Sequence, residues 1–291
     1  MRVLIKATSI ITFCFFCLSA NARSLEDIQD SGQIIVAVYE DYAPYSFQKN
    51  VENRGIDVDI AREIAKGLGV SLEIMWLAPD ESTEDDLRNA IWKGHMIHRN
   101  KADLMMRVPY DRAFQQKRDD LGLLVHELVH MFAPYHTESW QVAHAVSRLP
   151  ELTTLNYFAY HKVGTEIDTV PHMYLSSVFG ARFAKNIVQY RTTEHTFSAM
   201  QNGDVDAVMG LRSQIGYFSN MYGSKEYQVA ALGFPQLGKQ KWDIGMAVHN
   251  DFRALSYAAG DVISEMINNG QMAKVFAKYN AKFEIPDYYR E

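Results

Sequence analysis

The chain has 291 residues and a formal net charge of −6, from 29 Lys and Arg against 35 Asp and Glu. That balance lacks the basic footprint that nucleic-acid binding needs and argues against adhesion to anionic lipid. Hydrophobic residues make up 47% of the chain and aromatics 12%, which supports a substantial packed core.

At the N-terminus, Arg2 and Lys6 precede an apolar run from Ala7 to Ser19, and Ala20-Asn21-Ala22 supplies small residues in the A-x-A pattern. A basic region, an apolar region and such a site predict an export leader removed after residue 22. The apolar run is too short to span a bilayer comfortably. Removing Arg2 and Lys6 leaves a net charge of −8. Cys14 and Cys17 are the only cysteines, and both fall in the leader. The mature chain of about 269 residues therefore has no thiol, disulfide or cysteine metal site, and is long enough for two modest domains.

Gln33 to Tyr39 is a β-branched apolar run, predicted as a buried strand, and a turn rich in Tyr and Pro follows at Asp41 to Tyr45. Ile56, Ile60, Ile64 and Leu68 recur at helical spacing, with Gly69 placed to end the helix. Val70, Leu72, Ile74 and Trp76 alternate as a second strand. Thr83 with Asp86 reads as a capping box opening a helix whose Leu87, Ala90 and Ile91 share a face. Ala102 to Val108 is a third strand. Phe158 to Val163, Asn186 to Tyr190 and Val205 to Met209 read as strands, with helices around Met173 to Ala184 and from Thr192 to Met200. Leu255, Ala258, Val262 and Met266 mark an amphipathic helix, and a shorter one runs from Gly270 to Tyr279. The segment Ala90–Met106 repeats the order of Met200–Met209, namely helix, Gly, Asp and apolar strand, as two lobes of one architecture would.

This order of motifs resembles the family 3 extracellular solute-binding proteins of ABC transporters. The matching pieces are Val36–Phe47 (VAVYEDYAPYSF), Gly55–Leu68 (GIDVDIAREIAKGL), Ala102–Arg112 (ADLMMRVPYDR) and Phe132–Tyr135 (FAPY). They continue with Val163–Thr165, Ala199–Met209 (AMQNGDVDAVM), Ile244–Val248 (IGMAV) and Gly270–Tyr279 (GQMAKVFAKY). The resemblance implies an α/β, two-lobe periplasmic binding protein fold of type II. Each lobe would be a mixed sheet flanked by helices, and two crossover strands would join them. Lobe 1 would be 23–138 plus 243–291, and lobe 2 would be 139–242. Ligand would lie in the cleft and favour closure by its differential affinity for the closed state.

Carried over by position, Tyr42 matches the aromatic that stacks on ligand, with Tyr45 beside it. Arg107 and Val108 fall where the family has small hydroxyl residues. An arginine in an apolar strand needs a partner. Arg112 is the candidate carboxylate-binding arginine, and Thr165 the lobe 2 anion contact. Leu211, followed by Arg212, stands where the family's ammonium-binding Asp is expected, so an unpaired ammonium would be costly there. These residues predict an anionic or carboxylate-bearing solute. Asp57, Asp59 and Asp206 read as helix-start and strand-entry residues.

His126-Glu127-Leu128-Val129-His130 is a literal HExxH, with His136 at third-ligand spacing. Zinc proteolysis would need both histidines one helical turn apart with Glu127 as base. Pro134 blocks extension of such a helix, Ala133 replaces a needed glycine, and the flanks read as strand, so the expectation is no metal and no cofactor. His95, His98, His144 and His161 read as solvated or hydrogen-bonded. The expected function is a non-enzymatic, monomeric periplasmic receptor delivering a solute to transporter membrane subunits. The alternatives are a ligand-degenerate accessory protein of a periplasmic quinoprotein (methanol-type) dehydrogenase, and a cyclic-carboxylate dehydratase using Glu40 or Asp41.

Overall fold

The computed structural model describes residues 23–290 except Met96, His98 and Ser224. The expected leader at 1–22 and the reading of His98 lie outside the described residues. In chain order the elements are α1 (Leu25–Ser31), β1 (Gln33–Tyr39), β2 (Phe47–Lys49), β3 (Glu52–Arg54), α2 (Ile56–Gly67), β4 (Ser71–Leu77), α3 (Thr83–Leu87), β5 (Leu104–Tyr110), α4 (Arg112–Gln115) and β6 (Val129–Ala145). They continue with β7 (Val163–Glu166), α5 (Val170–Ala181), β8 (Ile187–Tyr190), α6 (Thr193–Asn202), β9 (Ala207–Leu211), α7 (Arg212–Gly223), β10 (Tyr227–Ala230), β11 (Lys241–His249), α8 (Arg253–Asn268) and α9 (Gln271–Lys278).

Strand alternation and helical periodicity build two half-sheets that share β6. The order is β4-β1-β5-β11-β6-β9-β7-β8, with β10 on β6. β6 pairs antiparallel with β11 as far as Ser139, then with β9 from Trp140 onward. A single 17-residue strand thus runs through both halves. This is the mixed α/β, two-lobe architecture expected from the sequence.

In the first lobe, α2 buries Ile56, Val58, Ile60 and Ile64 against Ile34, Val36, Val38 and Leu104. Each such side chain contributes about 1.5–3 kcal/mol. Ala37, Met105, Leu87, Ala90 and Ile91 fill the opposite face. In the second lobe, Val163, Leu175, Phe158 and Met209 pack on one face, and Phe197, Met200, Val208, Ile215 and Phe218 on the other.

Three local expectations are corrected. Phe158 to Val163 is not a strand; Leu155–Ala159 forms a 3₁₀ turn that buries Phe158, and β7 starts at Val163. Short apolar runs fit either state, and burial of one aromatic decided this one. The capping pair lies one residue earlier, Ser82 with Asp85, whose N–H donates to the Ser82 hydroxyl. The helix expected to reach Ala184 breaks at Val178 to Gly180, where the backbone turns non-helical.

Two irregularities interrupt the pairing of β5 and β6 with β11. Between Met105↔Ala247 and Val108↔Gly245, β5 carries one more residue than β11, and Arg107 there has φ +62°. Between Phe132↔Met246 and His136↔Ile244, β6 carries two more, and Ala133 has φ +43°. Bulges of this kind re-aim side chains beside functional sites.

Candidate functional site

The site begins with the loop after β1. Tyr42 N–H donates to the Ser46 carbonyl at 2.8 Å, and Tyr45 N–H to that of Tyr42 at 2.9 Å, folding the loop on itself. The first N–H groups of α2 then dock on it: Ile56 donates to the Pro44 carbonyl and Asp57 to that of Tyr45. Only glycine fits before them. Gly55 has φ +125°, and a Cβ there would lie 2.1 Å from the Tyr45 carbonyl oxygen.

Beneath this loop lies a buried polar network. Arg107 Nε donates to Asp57 at 2.8 Å, with both side chains nearly inaccessible. Tyr135, re-aimed by the β6 bulge, donates its hydroxyl to the other Asp57 oxygen at 2.8 Å. The Arg107 guanidinium lies 3.3 Å from the Tyr45 ring centroid and 5.9 Å from that of Tyr42. Burial works to lower the Arg107 pKa, but Asp57 and the three tyrosines hold it above its ordinary value.

The Tyr45 hydroxyl donates in turn to Glu138 at 2.7 Å. Glu138 also accepts from Ser213 Oγ at 2.8 Å and from Ser139 N–H at 2.9 Å. His136 Nδ1 accepts from Glu284 N–H at 3.3 Å. Its proton then belongs on Nε2, 3.6 Å from Glu138. Burial lowers the His136 pKa. Burial also works to raise the Glu138 carboxyl, but His136 beside it, with the Tyr45 and Ser139 donors, more than offsets this and holds it below the usual carboxylate range.

Above the network, and between the lobes, opens a pocket of about 490 Å³. Asp41, Tyr42, Phe47 and Lys49 line it from the first lobe, and Glu166, Arg191, Thr193 and Gln214 from the second. Glu166 is part-buried at the end of β7. It accepts the Thr193 N–H at 3.0 Å and the Thr193 hydroxyl at 2.8 Å, both on Oε2. Burial pushes its pKa up while the Thr193 bonds pull against that.

The residues expected from the sequence divide accordingly. Tyr42 lines the pocket, and Tyr45 lies beneath it as a buried donor. Arg107 is neutralised by Asp57 and is not in the pocket wall. Arg112 is exposed on α4 against Gln116, away from the pocket. Thr165 is fully buried with no partner for its hydroxyl among the described residues, on the strand face opposite Glu166. Leu211 joins the first lobe's apolar cluster. Arg212 pairs with Glu284 and donates to the Thr137 carbonyl at 2.6 Å. A positively biased cleft, expected from these arginines, is therefore not what the fold makes.

Sequence reasoning missed Glu166, Thr193, Gln214 and Asp57. Glu166 directly follows Thr165 on β7, and successive strand residues face opposite sides of the sheet, so the residue after the one the resemblance pointed to is the one that lines the pocket.

The HELVH segment is a turn at Val125–Leu128 running into β6. It is not the helix that paired zinc histidines need. His126 packs on Phe114 with centroids 4.5 Å apart, and His136 sits in the Glu138 network. Among the described residues no group of three His, Cys, Asp or Glu is placed to hold a metal. His144 Nδ1 lies 2.7 Å from the Leu149 carbonyl, and His161 Nδ1 lies 3.0 Å from Asp206. Asp206 also holds Arg148, as Asp103 holds Arg23 at the matching strand entry of the first lobe.

Residues 34–94 match the family model described as bacterial extracellular solute-binding proteins, family 3. No curated protein matches the sequence. Among solved structures, the chain is similar to an amino acid ABC transporter substrate-binding protein from Streptococcus pneumoniae bound to L-arginine. That likeness has a TM-score of 0.60 and 22% identity over 88% of this chain and 97% of the other. It is also similar to an ancestral cationic amino acid solute-binding protein (TM-score 0.65, 20% identity, 88% and 98% covered). A third is a mutant of ArgBP from T. maritima (TM-score 0.60, 19% identity, 88% and 98% covered).

Proposed function

We propose that this chain is a family 3 extracellular solute-binding protein, as the match over residues 34–94 and the likeness in fold support, and that it captures a small solute bearing an ammonium or guanidinium group. The observation that carries this reading is Glu166. Of the acidic groups in the pocket wall it is the part-buried one, whereas Asp41 and Glu194 are exposed. Both its Thr193 bonds fall on Oε2, so its second oxygen is the one a solute donor would reach.

Gln214 reinforces the acidic wall. Thr193 Oγ1 has one proton but two acceptors, Glu166 at 2.8 Å and Gln214 Oε1 at 3.1 Å. With the Gln214 amide turned, its NH₂ donates to Thr193 and its oxygen becomes a second acceptor facing the pocket. Arg191 and Lys49 at the rim suit a carboxylate on the same solute. The likeness to proteins solved with L-arginine, and to an ancestral cationic amino acid binder, supports the same class.

We take the lobes as 23–138 plus 243–291 and 139–242, divided where β6 passes from β11 to β9. On this reading the exported, monomeric chain closes on its solute and presents it to the membrane subunits of an ABC transporter. The cleft is a binding site, and no bond-making step is assigned to it.

A thermal-shift panel tests the class. Basic amino acids, amines and guanidino compounds raise the melting temperature through binding to the native state. A rise with carboxylates or neutral sugars and none with the cationic set contradicts the reading.

A further inference from the structure

We propose that Arg107 is a specificity-determining residue that acts as an internal occupant. Its guanidinium fills, from within the chain, a cation site made by Tyr42, Tyr45 and Asp57, and so confines any external solute to the Glu166 wall. This rests on reading the neighbouring pocket as the solute site.

The site around Arg107 has the parts a guanidinium ligand requires. One aromatic face lies 3.3 Å from Cζ and a second aromatic ring 5.9 Å away. A carboxylate accepts from Nε at 2.8 Å and is itself fixed by the Tyr135 hydroxyl at 2.8 Å. A planar guanidinium is suited to both kinds of contact.

Three features distinguish this from an ordinary buried ion pair. The backbone of Arg107 is held at φ +62° inside a bulge, a conformation that a side-chain-bearing residue adopts only when its surroundings impose it. Arg107 is 7% exposed, yet its Nη2 is buried without a hydrogen-bond partner among the described residues, whereas buried polar groups are ordinarily satisfied. Tyr42 is shared: it lies near the guanidinium and also lines the solute pocket. The two sites therefore adjoin across one ring, and the inner one is already filled.

The test vacates that inner site. Arg107→Ala, in the full mature chain, exposes Asp57 and the face of Tyr45 to an exogenous cation. Ethylguanidinium at low millimolar concentration raises the melting temperature of Arg107→Ala by about 2–4 °C. That rise is in addition to any response of the wild type through the Glu166 wall, and it is absent from the Arg107→Ala/Asp57→Asn double variant, which responds as the wild type does. Adding Glu166→Gln to Arg107→Ala leaves the rescue intact, which separates this proposal from the reading of the outer pocket. Equal responses of Arg107→Ala and wild type, or no rescue, overturn it. Should Arg107→Ala not fold, the wild-type Arg107 Hε resonance decides. A slowly exchanging signal shifted by the Tyr45 ring current is expected, and a solvent-like, fast-exchanging signal overturns the proposal.

Discussion

Replacing Glu138 by Gln keeps the shape of the side chain and removes its charge, at the point where both lobes and the β6 crossover meet. The carboxylate accepts three bonds, from Tyr45 Oη at 2.7 Å, Ser213 Oγ at 2.8 Å and Ser139 N at 2.9 Å. Bonds to a charged acceptor are worth about 1.5–3 kcal/mol each and neutral ones about 0.5–1.5 kcal/mol, so neutralisation loses about 1 kcal/mol per bond. The amide NH₂ must also face at least one of these donors, leaving it unsatisfied. The sum is about 3–5 kcal/mol, or roughly 10 °C in melting temperature for a chain of this size.

The pH dependence has a definite sign. The Glu138 pKa is lower in the folded chain than in the unfolded one. Its contribution is therefore present above the unfolded value near about 4.3 and is lost as pH falls toward the folded value. Urea unfolding of wild type and Glu138→Gln at pH 7, repeated toward pH 3, should show a full gap that narrows on acidification. A gap under about 1 kcal/mol at pH 7, or one that does not narrow, refutes the reasoning.

Gly55→Ala should lower stability by about 2–4 kcal/mol, because the new Cβ meets the Tyr45 carbonyl at 2.1 Å where φ is +125°; a urea midpoint close to wild type would contradict this. Metal analysis of purified protein should find no stoichiometric zinc at HELVH, and His126→Ala with His130→Ala should leave metal content unchanged; loss of one zinc equivalent would show that the turn binds metal.

What the sequence made legible follows from how local each cause is. The α2 pattern and the apolar run of β1 depend on near neighbours, and the fold bears out both. Arg107 could be flagged as costly in an apolar strand, but its partner stands 50 positions away at a helix start. Asp57 already had a sufficient local explanation there, so nothing in the pattern marked it as a partner. Glu166 was passed over because the resemblance pointed to its neighbour Thr165, and which of two successive strand residues faces the cleft is set by how the sheet packs and not by local pattern. The arginines that suggested an anionic solute were each read without the carboxylates that the fold brings to Arg107 and Arg212.

In the proposed function Glu166 is the group that holds the solute's cation. Calorimetric titration of wild type and Glu166→Gln with the cationic compound giving the largest thermal shift tests it directly. A charge-assisted bond worth about 1.5–3 kcal/mol predicts affinity about 10- to 150-fold weaker in the variant. Equal affinity of the two proteins would contradict the account.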